Sequence, residues 1–281
     1  MVPDCFALDV SDRVAHLRLD RPDDLNTMVP AFWKELPEIV RDLDRSGSVR
    51  ALVISSTGRH FSAGMDLSVF TGSSVLSSGG GSDEEGRRRS VVWMLVQHLQ
   101  DSFSVFESAR FPVLAAVQGG CIGGAVDMVT AADARYCTED AFFCIQEINI
   151  GMTADVGTLQ RLSKLIPEGI AREYAYTGDR MPAQRAIECG LVNRIYPDHA
   201  ALLDGVLDIA GRIARHSPLA IWGTKEVLNY TRDHSVGDSL RYIAGWQSGM
   251  FQGGDMLEEF TAKSEGREPE FDDLPARPEV I

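Results

Sequence analysis

No stretch of the 281-residue chain approaches the run of about 18 apolar residues that a membrane-crossing helix needs. Positive charge is also short: 27 Lys and Arg face 41 Asp and Glu, a formal net charge of −14. That balance argues against a nucleic-acid backbone or an anionic membrane as the main partner, although a local basic patch can still receive a phosphorylated ligand. Cysteine is scarce, and the five present (Cys5, Cys121, Cys137, Cys144, Cys189) form no CxxC pair. An odd set without such spacing fits reduced thiols and carries no zinc signature, so no metal is assigned. The opening MVPDCFALDV lacks a basic segment followed by an apolar run, and the ending ARPEVI is no peroxisomal tripeptide. The expected location is the cytoplasm, and the expected partner is a small molecule or another subunit.

What is present is the composition of a globular chain, 44% hydrophobic, enough to bury a sizeable core in one large domain or in one plus a small extension. VAHLRLD (14–20) alternates, RALVISS (50–56) is a short apolar run, and PAFWKELPEIVRDLDRS (30–46) between them has helical spacing, which reads as a β-α-β beginning. A second cycle follows, with a helix over 91–109, a buried strand over 112–119, a glycine-opened helix over 123–133, and the strand-like ARYCTEDAFFC. The order predicts an α/β layered core of parallel strands covered by helices. Three regions result: a core over 1–198, a wholly helical region over 199–265 that docks on a neighbouring subunit, and a tail over 266–281. Between Thr71 and Ser90 the Gly/Ser-rich and then charged TGSSVLSSGGGSDEEGRRRS predicts a mobile, solvated loop.

Two glycine-bearing turns stand where strands end. In QGGCIGGAVDMV, Gly123 and Gly124 lead into a helix whose unpaired N–H groups and positive dipole end face whatever lies above, a possible oxyanion site. In GRHFSAGMDLSVF, the turn Ala63-Gly64-Met65 can present a second N–H from the end of a neighbouring strand. Each turn taken alone is also what an ordinary tight turn looks like. Acids raise a second question, because Glu147 and Asp155 sit in FCIQEINIGMTADVGTLQRL among apolar neighbours, where an ionised carboxylate is costly unless it is paired or at work. Structural readings compete here too. Asp127 falls in a first helical turn that favours acids through the dipole. Asp155 precedes VGTLQRLSKLI and can serve as an N-cap, and Asp66 can be a turn residue. His60 and His98 show no ligand or triad spacing.

Together HFSAGMDL, AVQGGCIGGAVDMVTAADARY and EINIGMTADVGTLQRL, in this order and spacing, resemble the crotonase superfamily, the enoyl-CoA hydratase/isomerase family, over about residues 5–262. The resemblance implies a spiral of β-β-α turns with a helical C-terminal region, assembled as trimers or pairs of trimers. It implies that the N–H groups of Met65 and Gly124 hold a thioester oxygen, and that coenzyme A, a part of the substrate and not a separate cofactor, is bound partly by the turn matching Ala63, Asp66 and Leu67. Hydratases of the family carry glutamates at the positions of Asp127 and Glu147, and usually a glycine at that of Asp155. This chain departs at Asp127 and at Asp155, and the Asp, Glu, Asp set is similar to that of 3,5-2,4-dienoyl-CoA isomerases within the family. RDHSVGDSL and RYIAGW look like that subgroup as well.

The implied reaction moves both double bonds of a 3,5-dienoyl thioester, taking a proton from C2 and giving one to C6, a span that one carboxylate cannot easily cover. Glu147 near C2 and Asp155 near C6 would supply base and acid, the Met65 and Gly124 N–H groups would stabilise the dienolate oxygen, and Asp127 would lend electrostatic or hydrogen-bonding support. Another crotonase activity such as enoyl-CoA hydration, and a non-catalytic acyl-CoA-binding or assembly role, are the alternatives. The first lacks the full glutamate pair, and the second has no need of three acids.

Overall fold

The computed structural model describes residues 3–66, 69, 84–251 and 253–278. Leu67, and residues 71–83 of the stretch expected to be a mobile loop, lie outside the described residues. The main sheet comprises β1 (Phe6–Ser11), β2 (Val14–Leu19), β3 (Ala51–Ser56), β4 (Val113–Val117), β6 (Ala134–Thr138) and β9 (Arg194–Tyr196), in the order β1-β2-β3-β4-β6-β9. All neighbours are parallel except the β1–β2 hairpin. A second sheet, β5-β7-β8, joins β5 (Gly120–Ile122), β7 (Phe142–Cys144) and β8 (Met181–Pro182).

The spiral is visible in the register. Leu52 of β3 pairs with Val113 of β4, and a few residues later Ser62 bridges Cys121 of β5. One turn on, Leu114 of β4 pairs with Ala134 of β6, and Gly120 of β5 pairs with Phe142 of β7. Each turn thus adds one strand to the main sheet and one step to a second ladder before its helix.

The helices are α1 (Pro30–Ser46), α2 (Glu85–Ser108), α3 (Gly124–Ala131), α4 (Thr158–Leu165), α5 (Glu168–Thr177), α6 (Ala183–Glu188), α7 (His199–Ala214), α8 (Pro218–Asp233), α9 (Val236–Met250) and α10 (Gly253–Glu265). Strand β3 is buried along its whole length, and its alternation divides the core. Leu52 and Ile54 join the large cluster with Phe32, Phe103 and Phe106 of α1 and α2. Ala51 and Val53 join a smaller cluster with Leu202, Val206 and Ala210 of α7. Helix α7, which opens the region expected to be a helical extension, thus packs on the main sheet of its own chain. Helix α1 carries Pro30 in its first turn, buries Phe32, Trp33, Leu36, Val40 and Leu43, and closes on Gly47 in the left-handed region.

Three local expectations need correction. The chain begins with a hairpin and not with a lone strand: β1, FALDVS, buries Phe6, is exposed from Leu8 onward and pairs antiparallel with β2. Helix α2 begins at Glu85, six residues before the expected start. Residues 85–90 are thus helical and not loop, with Glu84–Arg87 and Glu85–Arg89 pairs bracing a solvated face. ARYCTEDAFFC is two strands, split by a turn in which Ala141 N–H bonds the Thr138 carbonyl at 3.1 Å.

The final segment returns to the core. Buried Arg50 donates to the Phe271 carbonyl at 2.6 Å and to Asp273 at 3.0 Å, and Arg277 pairs with Asp44, which also accepts from the Arg110 N–H and Nε, both at 3.0 Å. At Gly47 (φ +74°) an added Cβ would lie 2.0 Å from the Leu274 carbonyl oxygen. Gly47→Ala should therefore lose about 1–3 kcal/mol in denaturant unfolding, from left-handed strain and displacement of the tail. Faster hydrogen exchange at the Leu274 amide should accompany that loss, and an unchanged midpoint and exchange rate would show that the tail does not depend on this contact.

Candidate active site

The spiral register places the two glycine turns side by side. Ser62 N–H bonds the Gly120 carbonyl and Ile122 N–H returns to Ser62, each at 3.1 Å. Gly64, at φ +84°, then passes so close that an added Cβ would lie 2.6 Å from the Ile122 carbonyl oxygen and 3.4 Å from the Gly124 nitrogen. Met65 bridges Met28, but the bonds of that bridge run from Met28 N–H to the Gly64 carbonyl (2.8 Å) and from Asp66 N–H to the Met28 carbonyl (3.2 Å). The Met65 N–H is directed away from that bridge. Gly124 is the first residue of α3, so its N–H has no intrahelical acceptor. Two backbone donors of the expected kind therefore stand at neighbouring positions.

All three expected acids belong to this neighbourhood. Asp127, in the first turn of α3, is 1% exposed, and its Oδ1 accepts the Thr158 N–H at 2.6 Å. It thereby caps α4 from another helix, since the residue at that helix's own cap position, Gly157, has no side chain to offer. Asp155 is not that cap. Burial raises the Asp127 carboxyl to about 6; the Thr158 bonds and Arg161 oppose the rise, and Asp155 adds to it.

Glu147 lies in the 3₁₀ turn Gln146–Ile150 that follows β7. Its Oε1 is 3.2 Å from where a Cβ on Gly123 would lie, so the carboxyl abuts the turn that presents Gly124. Its Oε2 is buried without a hydrogen-bond partner among the described residues. Burial first, and then repulsion from Asp127 and Asp155, push it up to about 7. Asp155 is half-buried and burial raises it too, against a hydrogen bond from its own backbone. A poised carboxyl next to two amide donors can take or give a proton on a carbon adjacent to a carbonyl.

Of the remaining expected residues, Ala63 donates its N–H to the Leu25 carbonyl at 3.0 Å, and Asp66 accepts from Thr27 Oγ1 at 3.0 Å. Both are half-buried beside Met65, whereas Leu67 lies outside the described residues. His60 has a structural task, its Nδ1 accepting the Gly120 N–H at 2.8 Å.

Several supporting residues escaped the sequence reading. Asn26, left-handed at φ +53° and 2% exposed, donates to the Thr57 and His60 carbonyls (2.8 and 3.1 Å) and accepts from Arg21 N–H (2.8 Å). Ser62 Oγ donates to the Asn26 carbonyl (2.8 Å) and accepts the Gly64 N–H (3.1 Å), which fixes the first turn. The turn-rich RPDDLN was a legible signal for Asn26. Gln100 of α2 donates to the Asp155 carbonyl at 2.7 Å, and Met28 and Trp33 wall Gly124, with Met28 Sδ 3.0 Å and Trp33 Cη2 3.8 Å from an added Cβ. No local pattern marks these residues, because their partners are distant in sequence.

The Asp127 geometry makes a pH prediction. Its folded value of about 6 exceeds the ordinary 3.8, so the stability linked to its proton is complete below about pH 4 and is lost as pH rises through 6. Two pH units correspond to about 3 kcal/mol. Asp127→Asn keeps an acceptor for Thr158 but has no charge, so its unfolding free energy should fall less between pH 4 and 8 than that of the parent, by roughly this amount. Asp127→Ala should be destabilised throughout. Parallel pH curves for parent and Asn variant would mean that the buried carboxyl carries no such penalty.

The arrangement has clear relatives. The family model for enoyl-CoA hydratase/isomerase matches residues 9–274. The chain is 43% identical over 256 residues to human Delta(3,5)-Delta(2,4)-dienoyl-CoA isomerase, mitochondrial, covering 91% of this chain and 77% of that one. It is 39% identical over 258 residues to the peroxisomal protein of that name from Arabidopsis thaliana, covering 92% of each. Among solved structures, that of a protein described as an enoyl-CoA hydratase from Streptomyces coelicolor superposes with a TM-score of 0.85 at 25% identity, covering 96% of this chain and 94% of that one. With its spiral, paired turns and cluster of acids, this chain belongs to the enoyl-CoA hydratase/isomerase family.

Proposed function

We propose that the protein is a dienoyl-CoA isomerase of fatty-acid β-oxidation, converting 3,5-dienoyl-CoA to 2,4-dienoyl-CoA. The observation that carries this reading is the presence of Asp155 as a third acid beside Glu147 and Asp127, within one electrostatic neighbourhood and next to two free-standing backbone donors. Relatives 39–43% identical over 91–92% of this chain bear the isomerase name.

In this mechanism the Met65 and Gly124 N–H groups receive the thioester oxygen. Glu147 takes a proton from C2, and the electron pair moves into the conjugated dienolate whose charge those donors stabilise. Asp155, in its acid form, then delivers a proton to C6, the C2=C3 and C4=C5 bonds form, and solvent returns the two carboxyls to their starting states. A Glu147 carboxyl at about 7 is partly ionised at neutral pH and is a stronger base than an exposed glutamate. Asp127 keeps the Asp155 segment in place through Thr158 and adds negative potential at Glu147. Contact with coenzyme A is assigned to Ala63, Asp66 and Leu67, the last of which lies outside the described residues. The chemistry is assigned to carboxyls and amides alone, with neither a metal nor a cofactor separate from the substrate.

We assign the working state to a homotrimer or homohexamer. The support is an apolar face on the last three helices, where Leu228, Leu240, Leu257 and Phe260 are each more than 60% exposed, beside a cavity of about 710 Å³ lined by Ile243, Trp246, Met250 and Phe251. Surfaces of that kind on a folded chain mark association sites. The location assigned is cytoplasmic, consistent with five free buried cysteines. Among the described residues no helix is long and apolar enough to cross a membrane.

Purified protein offered 3,5-dienoyl-CoA and 2-enoyl-CoA should form the conjugated 2,4-diene far faster than it adds water, and efficient hydration without diene formation would overturn the reading. Asp155→Asn should retain exchange of the C2 proton with solvent deuterium while isomerisation falls by about 10²–10⁴-fold. Glu147→Gln should lose both, along with the rise in rate through about pH 7. Near-normal isomerisation by Asp155→Asn would remove the assignment of that residue. For assembly, a Leu257→Asp, Phe260→Asp double variant should elute as a monomer in light-scattering chromatography, and an unchanged mass would move the interface elsewhere.

A further inference from the structure

The turn that carries Asp155 is held from beneath by an arginine that none of the preceding chemistry uses. Arg161, one turn into α4, folds back under residues 155–158. Its Nη1 lies 3.5 Å from the Val156 carbonyl oxygen and 1.9 Å from where a Cβ on Gly157 would be. Gly157, at φ +136°, is therefore what leaves room for the guanidinium. Nη2 donates in the other direction, to Ser104 Oγ at 3.0 Å and Glu107 Oε2 at 2.8 Å on α2. The Arg161 and Glu107 side chains are 12% and 19% exposed, so this is a largely desolvated ion pair and not a surface contact.

Glu107 is itself fixed by a third element. Its Oε1 accepts from Arg232 Nη1 at 2.6 Å, and its carbonyl accepts from Asn229 Nδ2 at 3.0 Å, both on α8. The guanidinium is thus a planar bracket between the Asp155 turn on one side and a node of α2 and α8 on the other. Only a forked cation reaches Val156, Ser104 and Glu107 together, which a lysine cannot do. Its charge also acts on the neighbouring Asp127, opposing the effect of burial.

We propose that Arg161 is a positioning residue for the isomerisation: bracketed by Glu107, it sets the turn 155–158 and so aims the Asp155 carboxyl at the far end of the dienoyl chain. The inference rests on the assignment of Asp155 as the C6 acid. A bracket of this kind acts chiefly on the second proton transfer, because Glu147 and the two amide donors stand on other elements and the Arg161 charge reaches Glu147 only indirectly, through Asp127. That separates it from a plain packing contact, which would affect both steps alike.

The test measures C2 deuterium exchange and overall isomerisation side by side in Arg161→Met, Arg161→Lys, Glu107→Gln, Asp155→Asn and the Arg161→Met, Asp155→Asn double variant. Arg161→Met should lower isomerisation by about 10–100-fold, the cost of a misplaced catalytic group, while exchange stays within about threefold of the parent. Arg161→Lys, which restores the charge without the fork, should fall between them. In the Asp155→Asn background, adding Arg161→Met should change isomerisation by no more than about twofold, since coupled residues do not add. If Arg161→Met does not fold, Glu107→Gln loosens the same bracket from its other end and should show the same selective loss. Equal losses of exchange and isomerisation in the folded variants, or a fully multiplicative double variant, would overturn the positioning role. So would unaltered kinetics in Arg161→Met and Glu107→Gln while Asp155→Asn is impaired, which would leave the Asp155 assignment standing. Full isomerisation by Asp155→Asn alone would instead defeat that assignment, and this inference with it.

Discussion

Gly64 lies against the Ile122–Gly124 turn with no space for a side chain between them, and much else in the molecule follows from that approach. A methyl group on Gly64 would come within 2.6 Å of a backbone oxygen, which only backbone movement could relieve. The contact exists because β3 and β4 run parallel in the main sheet and their continuations, Ser62 and Cys121, pair again a few residues later. Two ladders in succession leave the chain little freedom in how the turns meet. The donors of Met65 and Gly124 are therefore fixed before any ligand arrives, which is what electrostatic stabilisation of a developing oxyanion requires. Asn26 and Ser62 extend the same constraint by fixing the first turn through four hydrogen bonds to or from the backbone at 2.8–3.1 Å.

A second constraint is the crowding of acids in a chain that already carries a net charge of −14. The rise of Glu147 from 4.5 to about 7 corresponds to about 3 kcal/mol of preference for the neutral form. Burial is the largest cause, and the charges of Asp127 and Asp155 reinforce it. Asp127 starts from the lower ordinary value of 3.8 and is raised to about 6, burial prevailing over the Thr158 bonds and Arg161, which favour its charged form. Burial and mutual repulsion thereby bring both carboxyls close to neutral pH, where acid and base forms coexist. Glu147 keeps a buried oxygen without a protein partner among the described residues, the position in which a substrate proton can be accepted.

What could be read beforehand follows from the range of the forces involved. Helix α1 was legible from 30 to 46 because its signals are local: a proline in the first turn, an apolar stripe and a terminal glycine. The glycine turns were legible as turns, and the three acids as anomalies among apolar neighbours. Their juxtaposition came from resemblance, since the pairing of Ser62 with Cys121 leaves no local mark. Strand β1 went unread although FALDVS alternates Phe, Leu and Val with Ala, Asp and Ser, and the start of α2 escaped because charge pairs, not apolar periodicity, support its first turn. Asp127 was the most ambiguous. A carboxylate in a first helical turn suggests a favourable dipole at its own helix, whereas its hydrogen bond is spent on capping another.

That long-range cap bears on how the C-terminal helices relate to the site. Lys225 of α8 is 5% exposed and donates to the Phe106 and Phe111 carbonyls at 2.5 and 2.8 Å and to Asp133 at 2.8 Å. A buried ammonium with three oxygen partners is strongly destabilising to uncouple, so α8 is fastened to the end of α2 and to the segment between α3 and β6. Helix α2 in turn supplies Gln100 to the Asp155 carbonyl and Glu107 to Arg161. The Asp155 turn is consequently held by contacts with three helices, α2 through Gln100, α3 through Asp127 and α4 through Arg161, with α8 locked behind them. The exposed apolar surface of the last helices and the Asp155 turn thus share one buried support, α2, so that α8 and the groups that fix Asp155 are mechanically linked.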